Sequence, residues 1–338
     1  MRLAPHFAES QKNLGLALTD SGRHEEAIPV LREAIRLDPN FDKAHNVLGK
    51  ALFGKGQLPE AIAAYREAIR INPGYDKAYN NLGIVLRNSN QPDAAIAAFR
   101  KAISLNERFD MAYVNLGNAL RETKQPKQVD EAIALYREAL RVNPRYDTAH
   151  HEMAWAYHLL KKEDEAFAHS KAALRINPLN PDAHHTLASA LLGKEQYPAA
   201  LAAEREAIRL KPNYAGYHNT LGLILKNLED GEGAFAAFKE AVRLDPRHVR
   251  ALYSLGYYHM LRKEPELAVA VLLQAAKVDP ADVEVQINLG IALLQAGKKA
   301  EGRAVWAKLA AGSNKSAAAR AEKYLADYPE QPVPNNPK

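Results

Sequence analysis

Residues 42–75, DKAHNVLGKALFGKGQLPEAIAAYREAIRINPGY, alternate apolar and polar positions with steps of three and four. Leu48, Gly49 and Leu52 share one face of a first segment, and Ala61, Tyr65 and Ala68 share one face of a second. That spacing predicts two amphipathic helices and no strand. Gly56 ends the first helix, where a residue without Cβ turns back cheaply. Pro59 falls in the first turn of the second helix, where a missing N–H costs little. Pro73 then forbids more helix. The small residues Gly49, Ala61 and Ala68 stand where two helix axes must approach closely. One hairpin of this size cannot bury its apolar side alone and needs a neighbour.

The chain supplies the neighbours. Pro39, Pro73, Pro144, Pro178, Pro212, Pro246 and Pro280 are 34 residues apart, except for one gap of 71 with Glu107 where its middle proline would stand. A Leu-Gly or Leu-Ala pair keeps the same period from Leu14-Gly15 to Leu289-Gly290, with Met153-Ala154 as a variant. So does a small residue of the second helix, from Ala27 to Ala268. The 34-residue helical hairpin, recurring nine times, resembles the tetratricopeptide repeat family. The expected fold class is therefore all-α, and the resemblance implies a right-handed α–α superhelix, a solenoid of nine hairpins with a C-terminal capping helix.

The expected repeats are 8–41, 42–75, 76–109, 110–146, 147–180, 181–214, 215–248, 249–282 and 283–314. The fourth is longer by three residues around Gln125-Pro126-Lys127, which are expected to lengthen the loop between its helices. The ninth is atypical, with Gly302 for the small alanine and Trp306 for the usual Tyr or Phe. Residues 315–328 follow as the capping helix, with Ser313 or Asn314 as N-cap and one apolar face. Residues 329–338, rich in proline and asparagine, read as a disordered tail. At the other end, Arg2-Leu3-Ala4-Pro5-His6-Phe7 aligns with Arg36-Leu37-Asp38-Pro39-Asn40-Phe41. Residues 1–7 thus read as the close of a truncated preceding repeat, and the polypeptide is expected to be the C-terminal part of a longer protein. A natural start with a leftover tail is the other reading. In the first case the helix near residues 8–20 exposes an uncapped apolar face.

Composition changes this picture little. The 338 residues carry a net charge of +5, with charged residues a quarter of the chain and mixed in sign, which does not by itself point to nucleic acid. The lack of cysteine excludes a disulfide framework and a thiolate metal site. No apolar run reaches the length of a membrane span and no secretory signal opens the chain, so a cytoplasmic setting is expected and no membrane partner.

The resemblance implies that partners lie on the concave face, against positions two, five, six, nine, twelve and thirteen of each repeat. Repeats two to four place there Lys43, Asn46, Lys50, Lys77, Asn80, Asn81, Arg87, Asn88, Asn115, Asn118 and Arg121, against Glu122. Amides can both donate to a peptide C=O and accept from its N–H. Cations favour an acidic partner through encounter rate and orientation. The sequence leaves open whether these lysines are plain solvated surface and the asparagines brace neighbouring repeats. Repeats five and six add His151, Trp155, His158 and His185, and repeat eight adds Tyr253 and Tyr257. Trp155 is an anchor for a partner or a packing residue.

Chemistry is sparse. No two of the twelve histidines stand three or four apart, so none form a helical metal pair. His150-His151 and His184-His185 leave an inter-repeat site conceivable, but hydrated or core-edge histidine is favoured. Gly49 to Gly56, GKALFGKG, nearly matches a phosphate loop but ends a helix and lacks the Ser or Thr for magnesium. No nucleophile–base arrangement is legible, and no catalytic residue, cofactor or metal is expected. The two-carboxylate clamp of some family members is not intact: Lys12 is followed by Leu16, repeat two has Val47, and Lys77 is followed by Asn81. Asn13, Asn81, Asn115 and Asn288 look more like the asparagine ladder of O-linked N-acetylglucosamine transferase, broken at Val47, Glu152, Thr186, Thr220 and Ser254.

The expectation is a non-catalytic scaffold that binds an extended or helical peptide in its groove. The alternative is the regulatory or substrate-recruiting arm of a larger enzyme, a kinase or glycosyltransferase, with its catalytic domain upstream. Nucleic acid is disfavoured because no regular aromatic recurs for base stacking.

Overall fold

The computed structural model describes residues 4–123 and 125–329. Met1 to Leu3 of the expected opening segment, and the expected tail from residue 330 onward, lie outside the described residues. Among the described residues there are nineteen α-helices and no strand. The chain divides into two compact units, Met1–Pro178 and Leu179–Lys338.

The first unit contains α1 (Ala4–Asp20), α2 (His24–Leu37), α3 (Asp42–Gly54), α4 (Leu58–Ile71), α5 (Asp76–Asn88), α6 (Pro92–Leu105), α7 (Asp110–Arg121), α8 (Pro126–Val142), α9 (Asp147–Leu159) and α10 (Glu163–Ile176). The second contains α11 (Pro181–Gly193), α12 (Tyr197–Leu210), α13 (Ala215–Asn227), α14 (Gly231–Leu244), α15 (Val249–Leu261), α16 (Pro265–Val278), α17 (Val283–Gln295), α18 (Lys299–Ala310) and α19 (Lys315–Asp327). Within each unit every helix packs on the next, and each odd-numbered helix forms a hairpin with its successor. The nine hairpins and one terminal helix match the sequence expectation.

Small residues set the hairpin contact. A Cβ on Gly49, Gly83, Gly117 or Gly222 would sit 2.5–2.8 Å from the ring of Tyr65, Phe99, Tyr136 or Phe238 respectively. Those four rings are fully or almost fully buried, as are Ala61, Ala68, Ala95 and Ala234 on the same second helices. Ala154 and Ala188 occupy the glycine position in the fifth and sixth repeats, and Ser170 and Glu204 occupy the position of the ring. Both of these polar side chains are fully buried.

Each hairpin closes with a tight turn. Gly22, Gly56 and Gly297 take a positive φ there, and so do Asn90, Lys161, Glu195, Glu229 and Lys263, with φ of 57–62°. A left-handed conformation costs a side chain about 1–2 kcal/mol, against about 0.5–1 kcal/mol of extra chain entropy lost by glycine. Replacing Lys161, Glu195, Glu229 and Lys263 together by glycine should therefore raise stability by roughly 2 kcal/mol or more. A melting temperature that stays level or drops would show that these turns are not strained.

A second polar device joins the closing turn to the first helix of the same repeat in repeats two to five. Asn72 Nδ2 donates to Asp42 at 2.7 Å, Asn106 to Asp76 at 2.7 Å, Asn143 to Asp110 at 2.9 Å and Asn177 to Asp147 at 2.9 Å. The amide oxygens of Asn72, Asn106 and Asn143 meanwhile accept from the backbone N–H two residues on. Where Asp245 and Asp279 replace the asparagine, the partner position holds Ala215 and Val249, so no two carboxylates face each other.

Two expectations need correction. The added length of the fourth repeat goes mainly into a helix and not a loop, with Gln125 as the N-cap of α8. α8 has 17 residues, against 14 for α4, α6 and α10. Pro126 suits the first turn, and buried Val129 anchors the added turn to the core. Residues 4–7, read as a closing turn, belong to α1. The matching turn after α2 is closed by Asp38 N–H on Ala34 O. The apolar face expected on α1 is present: Leu14 is 50% exposed, whereas Leu48 and Leu82 at its position are 8% exposed.

At the other end, Asn314 is the N-cap of α19, accepting from Ala317 N–H at 3.1 Å. Fully buried Trp306 takes Ala321 beside it and Tyr324 at 5.0 Å between ring centroids. Its Nε1 donates to Ile287 O at 3.2 Å. Gly302 permits this approach of α18 to α17, since a Cβ there would lie 2.7 Å from Gly290 O.

Candidate functional site

The odd-numbered helices carry every residue singled out as a partner-facing candidate. Much of the amide strip proves to be engaged within the protein. Asn81 Nδ2 donates to Asn46 Oδ1 at 3.0 Å, and Asn115 Nδ2 donates to Asn80 Oδ1 at 2.8 Å. Each pair links position five of one repeat to position six of the next. An amide has two N–H groups and two lone pairs, so this bracing leaves each side chain further capacity. Asn80 is almost wholly buried, which confines it to bracing, while Asn46, Asn81 and Asn115 are half-buried. Asn88 turns back to Ile84 O at 2.8 Å.

The cations divide in the same way. Lys50 pairs with Asp20 at 2.7 Å, and Arg87 lies 3.9 Å from Glu122. Arg121 donates to Glu152 at 2.9 Å, and Asn118 Nδ2 donates to the other Glu152 oxygen at 3.0 Å. Tyr136, from the second helix of the hairpin, donates to Asn118 Oδ1 at 2.6 Å. That network crosses from α7 to α9, and its Arg121–Glu152 pair is largely shielded, with side chains 16% and 15% exposed. Lys43 and Lys77, both exposed, form no ion pair among the described residues. The strip is thus less cationic than its sequence suggests, because acidic residues of neighbouring repeats offset half of it.

The histidine region is also built from pairs. His150 and His169 bring their Nδ1 atoms to 3.1 Å, with rings stacked, and Tyr157 stacks on His169. Burial, then His150 and Arg137, push His169 down to about 4, and burial with Arg175 lowers His150. His158 Nδ1 lies 2.8 Å from Glu163, and the Trp155 ring lies 5.5 Å from the His158 ring. Both His151 and Trp155 are half-buried.

In the second unit, His185 Nδ1 approaches both Glu204 oxygens, at 3.0 and 3.1 Å. Burial raises the Glu204 carboxyl, and His185 and His218 partly offset this. The Tyr217 phenol donates to Asp182, and its ring lies 4.9 Å from His185. Glu204 escaped the sequence reading, although a glutamate at the aromatic position of a second helix is the signal that could have found it. No group of three or more potential metal ligands occurs among the described residues.

Tyr253 and Tyr257 line a cavity of about 240 Å³ together with Leu223, Lys226, Phe238, Ser254 and Tyr258. Lys226 Nζ stands 5.7 Å above the Tyr257 ring. Leu223, Lys226 and Ser254 were not among the expected candidates. Their positions, nine and twelve of one repeat and six of the next, are among those that the family resemblance marks as candidates.

Comparison with known proteins agrees with this architecture. Tetratricopeptide repeat models match residues 3–76, 127–181, 219–282 and 264–308, and a second such model matches 76–109. A comparison with curated protein sequences gave no match. Among solved structures, the APC/C hetero-tetramer Cut9–Hcn1 is similar at 16% identity and a TM-score of 0.65, covering 80% of this chain and 52% of that one. The chain therefore spans about half the length of that relative. A tetratricopeptide repeat protein from Parabacteroides merdae is 16% identical with a TM-score of 0.61, over 75% of this chain and 98% of that one. Yeast Tom70 is 13% identical with a TM-score of 0.51, over 96% of each chain. These likenesses are of fold, and no helix among the described residues is long and apolar enough to cross a membrane. With the 34-residue hairpins, the glycine-on-ring contacts and the family matches in agreement, the chain belongs to the tetratricopeptide repeat family.

Proposed function

We propose that this repeat scaffold acts without catalysis, holding an extended or helical peptide segment of a protein partner against the odd-numbered helices within a unit, with acidic residues favoured. The observation that carries this is the pair of exposed, unpaired lysines, Lys43 and Lys77, one repeat apart beside the amides of Asn46 and Asn81. Peptide amides can meet the remaining N–H groups and lone pairs of that strip, and the lysines orient a carboxylate-bearing segment. His151, Trp155 and His158 extend the candidate surface of the first unit, where Trp155 offers the large aromatic area that dominates many interfaces, and His185 is the matching candidate of the second unit.

Titration of the full chain against an array of acidic and neutral peptides tests this. Acidic peptides should bind more tightly, and the difference should shrink as salt rises from 50 to 500 mM, with screening lengths falling below about 5 Å. Equal affinity at all salt concentrations would remove the role given to the lysines. Trp155→Ala should weaken binding while leaving the melting temperature nearly unchanged; parallel loss of both would make Trp155 a packing residue.

A further inference from the structure

We infer that the cavity between α13 and α15 is a seat for one large apolar side chain of the bound peptide, with a carboxylate next to it in the peptide sequence. This rests on the peptide-binding reading above and adds to it the chemistry of one subsite.

The floor of the cavity is apolar. Phe238 is fully buried, Tyr258 nearly so, and both belong to the core that joins α14 to α15, with Leu223 packed against it. The space exists for two reasons. Inside either unit, every other pair of first helices from consecutive hairpins packs more closely than α13 and α15. Ser254 also stands where Asn13, Asn81, Asn115 and Asn288 stand in other repeats, and its smaller side chain leaves room above the floor. About 240 Å³ suits a single aromatic or aliphatic side chain, and is below the roughly 300–1,000 Å³ of sites for larger ligands.

The rim has the opposite character. Lys226 is exposed and forms no ion pair among the described residues; its charge rests over the Tyr257 ring. The Tyr253 phenol is held in its protonated form by burial and by nearby Glu284 and Tyr257. Its oxygen lies 3.5 Å from Asn288 Nδ2, which leaves its O–H to donate outward. Glu284, the nearest carboxylate influence on Tyr253, is engaged by Arg320 at 2.5 and 3.0 Å. Ser254 and Tyr257 add two hydroxyls. A cation and three hydroxyl donors around an apolar hollow complement an acceptor-only anion attached to an apolar body. An aspartate or glutamate flanking a phenylalanine or leucine has that form, and a lysine in its place would meet Lys226 as a like charge.

The test uses the full chain and four fluorescent 12-residue peptides that differ only in a central pair: Phe-Asp, Ala-Asp, Phe-Lys and Ala-Lys. Phe-Asp should bind at least tenfold more tightly than each of the others. Ser254→Trp, which fills the hollow, should erase the Phe-over-Ala preference, and Lys226→Gln should erase only the Asp-over-Lys preference. If Ser254→Trp loses its helical circular dichroism, Tyr257→Ala serves instead and should reduce both preferences. Equal binding of all four peptides, or preferences that survive these substitutions, would overturn the subsite while leaving groove binding intact. Failure of every peptide to bind would overturn both. A dimer in sedimentation velocity that Ser254→Trp dissociates would assign the hollow to a second copy of the chain and overturn the peptide assignment.

Discussion

Trp306→Ala should destabilise the second unit by about 3–5 kcal/mol, the range for emptying a buried aromatic site. The indole is fully buried, and it is the central side chain of the cluster that joins Ile287 of α17, Ala321 of α19 and the Tyr324 ring. Its loss also leaves Ile287 O without the Nε1–H donor. The terminal helix has a further tie through Arg303, whose guanidinium donates to Leu325 O at 2.8 Å, but that contact is partly exposed. Because each repeat in such a stack depends on its neighbours, the damage should stay local. Hydrogen exchange should show α18 and α19 losing protection while α11 to α16 keep theirs. A loss below 1 kcal/mol, or a uniform loss across the unit, would show that Trp306 does not anchor the end of the array.

The first unit should lose stability in mild acid through His169. Its folded-state value is about 4, below the 6.5 of the free side chain. Between these values the unfolded chain binds a proton that the folded chain refuses, so stability is full above about pH 6.5 and falls as pH drops toward 4. At about 1.4 kcal/mol per pH unit the loss reaches roughly 2–3 kcal/mol. His150, lowered in the same direction, adds to it with the same sign. The pair's hydrogen bond needs one neutral nitrogen as acceptor, so a second proton breaks it. Trp155 is the one tryptophan of the first unit and Trp306 the one of the second, so fluorescence of Trp306→Phe reports on the first unit alone. Urea midpoints followed this way should decline from pH 6.5 to 4.5, and His169→Phe should flatten the decline. An unchanged slope in that variant would assign the acid sensitivity to other groups.

The fold was legible because its signal is repeated. Any one Leu-Gly pair or turn glycine is weak, but the same glycine facing the same ring in hairpin after hairpin fixes the helix pairs and their contact. The exceptions were less legible for a physical reason. Three added residues at 125–127 can join either the loop or the helix, and only the burial of Val129 decides for the helix. The candidate strip could be read from sequence as positions but not as states. Lys50 and Lys77 look alike in sequence, yet Asp20 reaches one and no carboxylate among the described residues reaches the other. Asn80 and Asn81 are adjacent, yet one is sealed in and the other half-open. The Asn72–Asp42 type of link was also present in the sequence, as an asparagine thirty residues after an aspartate, and it vanishes where the asparagine becomes aspartate.

Two hairpins differ from the rest inside. α9–α10 closes over Ser170 and α11–α12 over Glu204, where the others hold an aromatic or a bulky aliphatic side chain. The Ser170 hydroxyl bonds to its own helix at Ala166 O, and Glu204 depends on the largely shielded His185. Like a zipper with two coarse teeth, such an array should breathe first at these two hairpins. Backbone amides of α10 and α12 should therefore exchange with solvent faster than those of the other second helices.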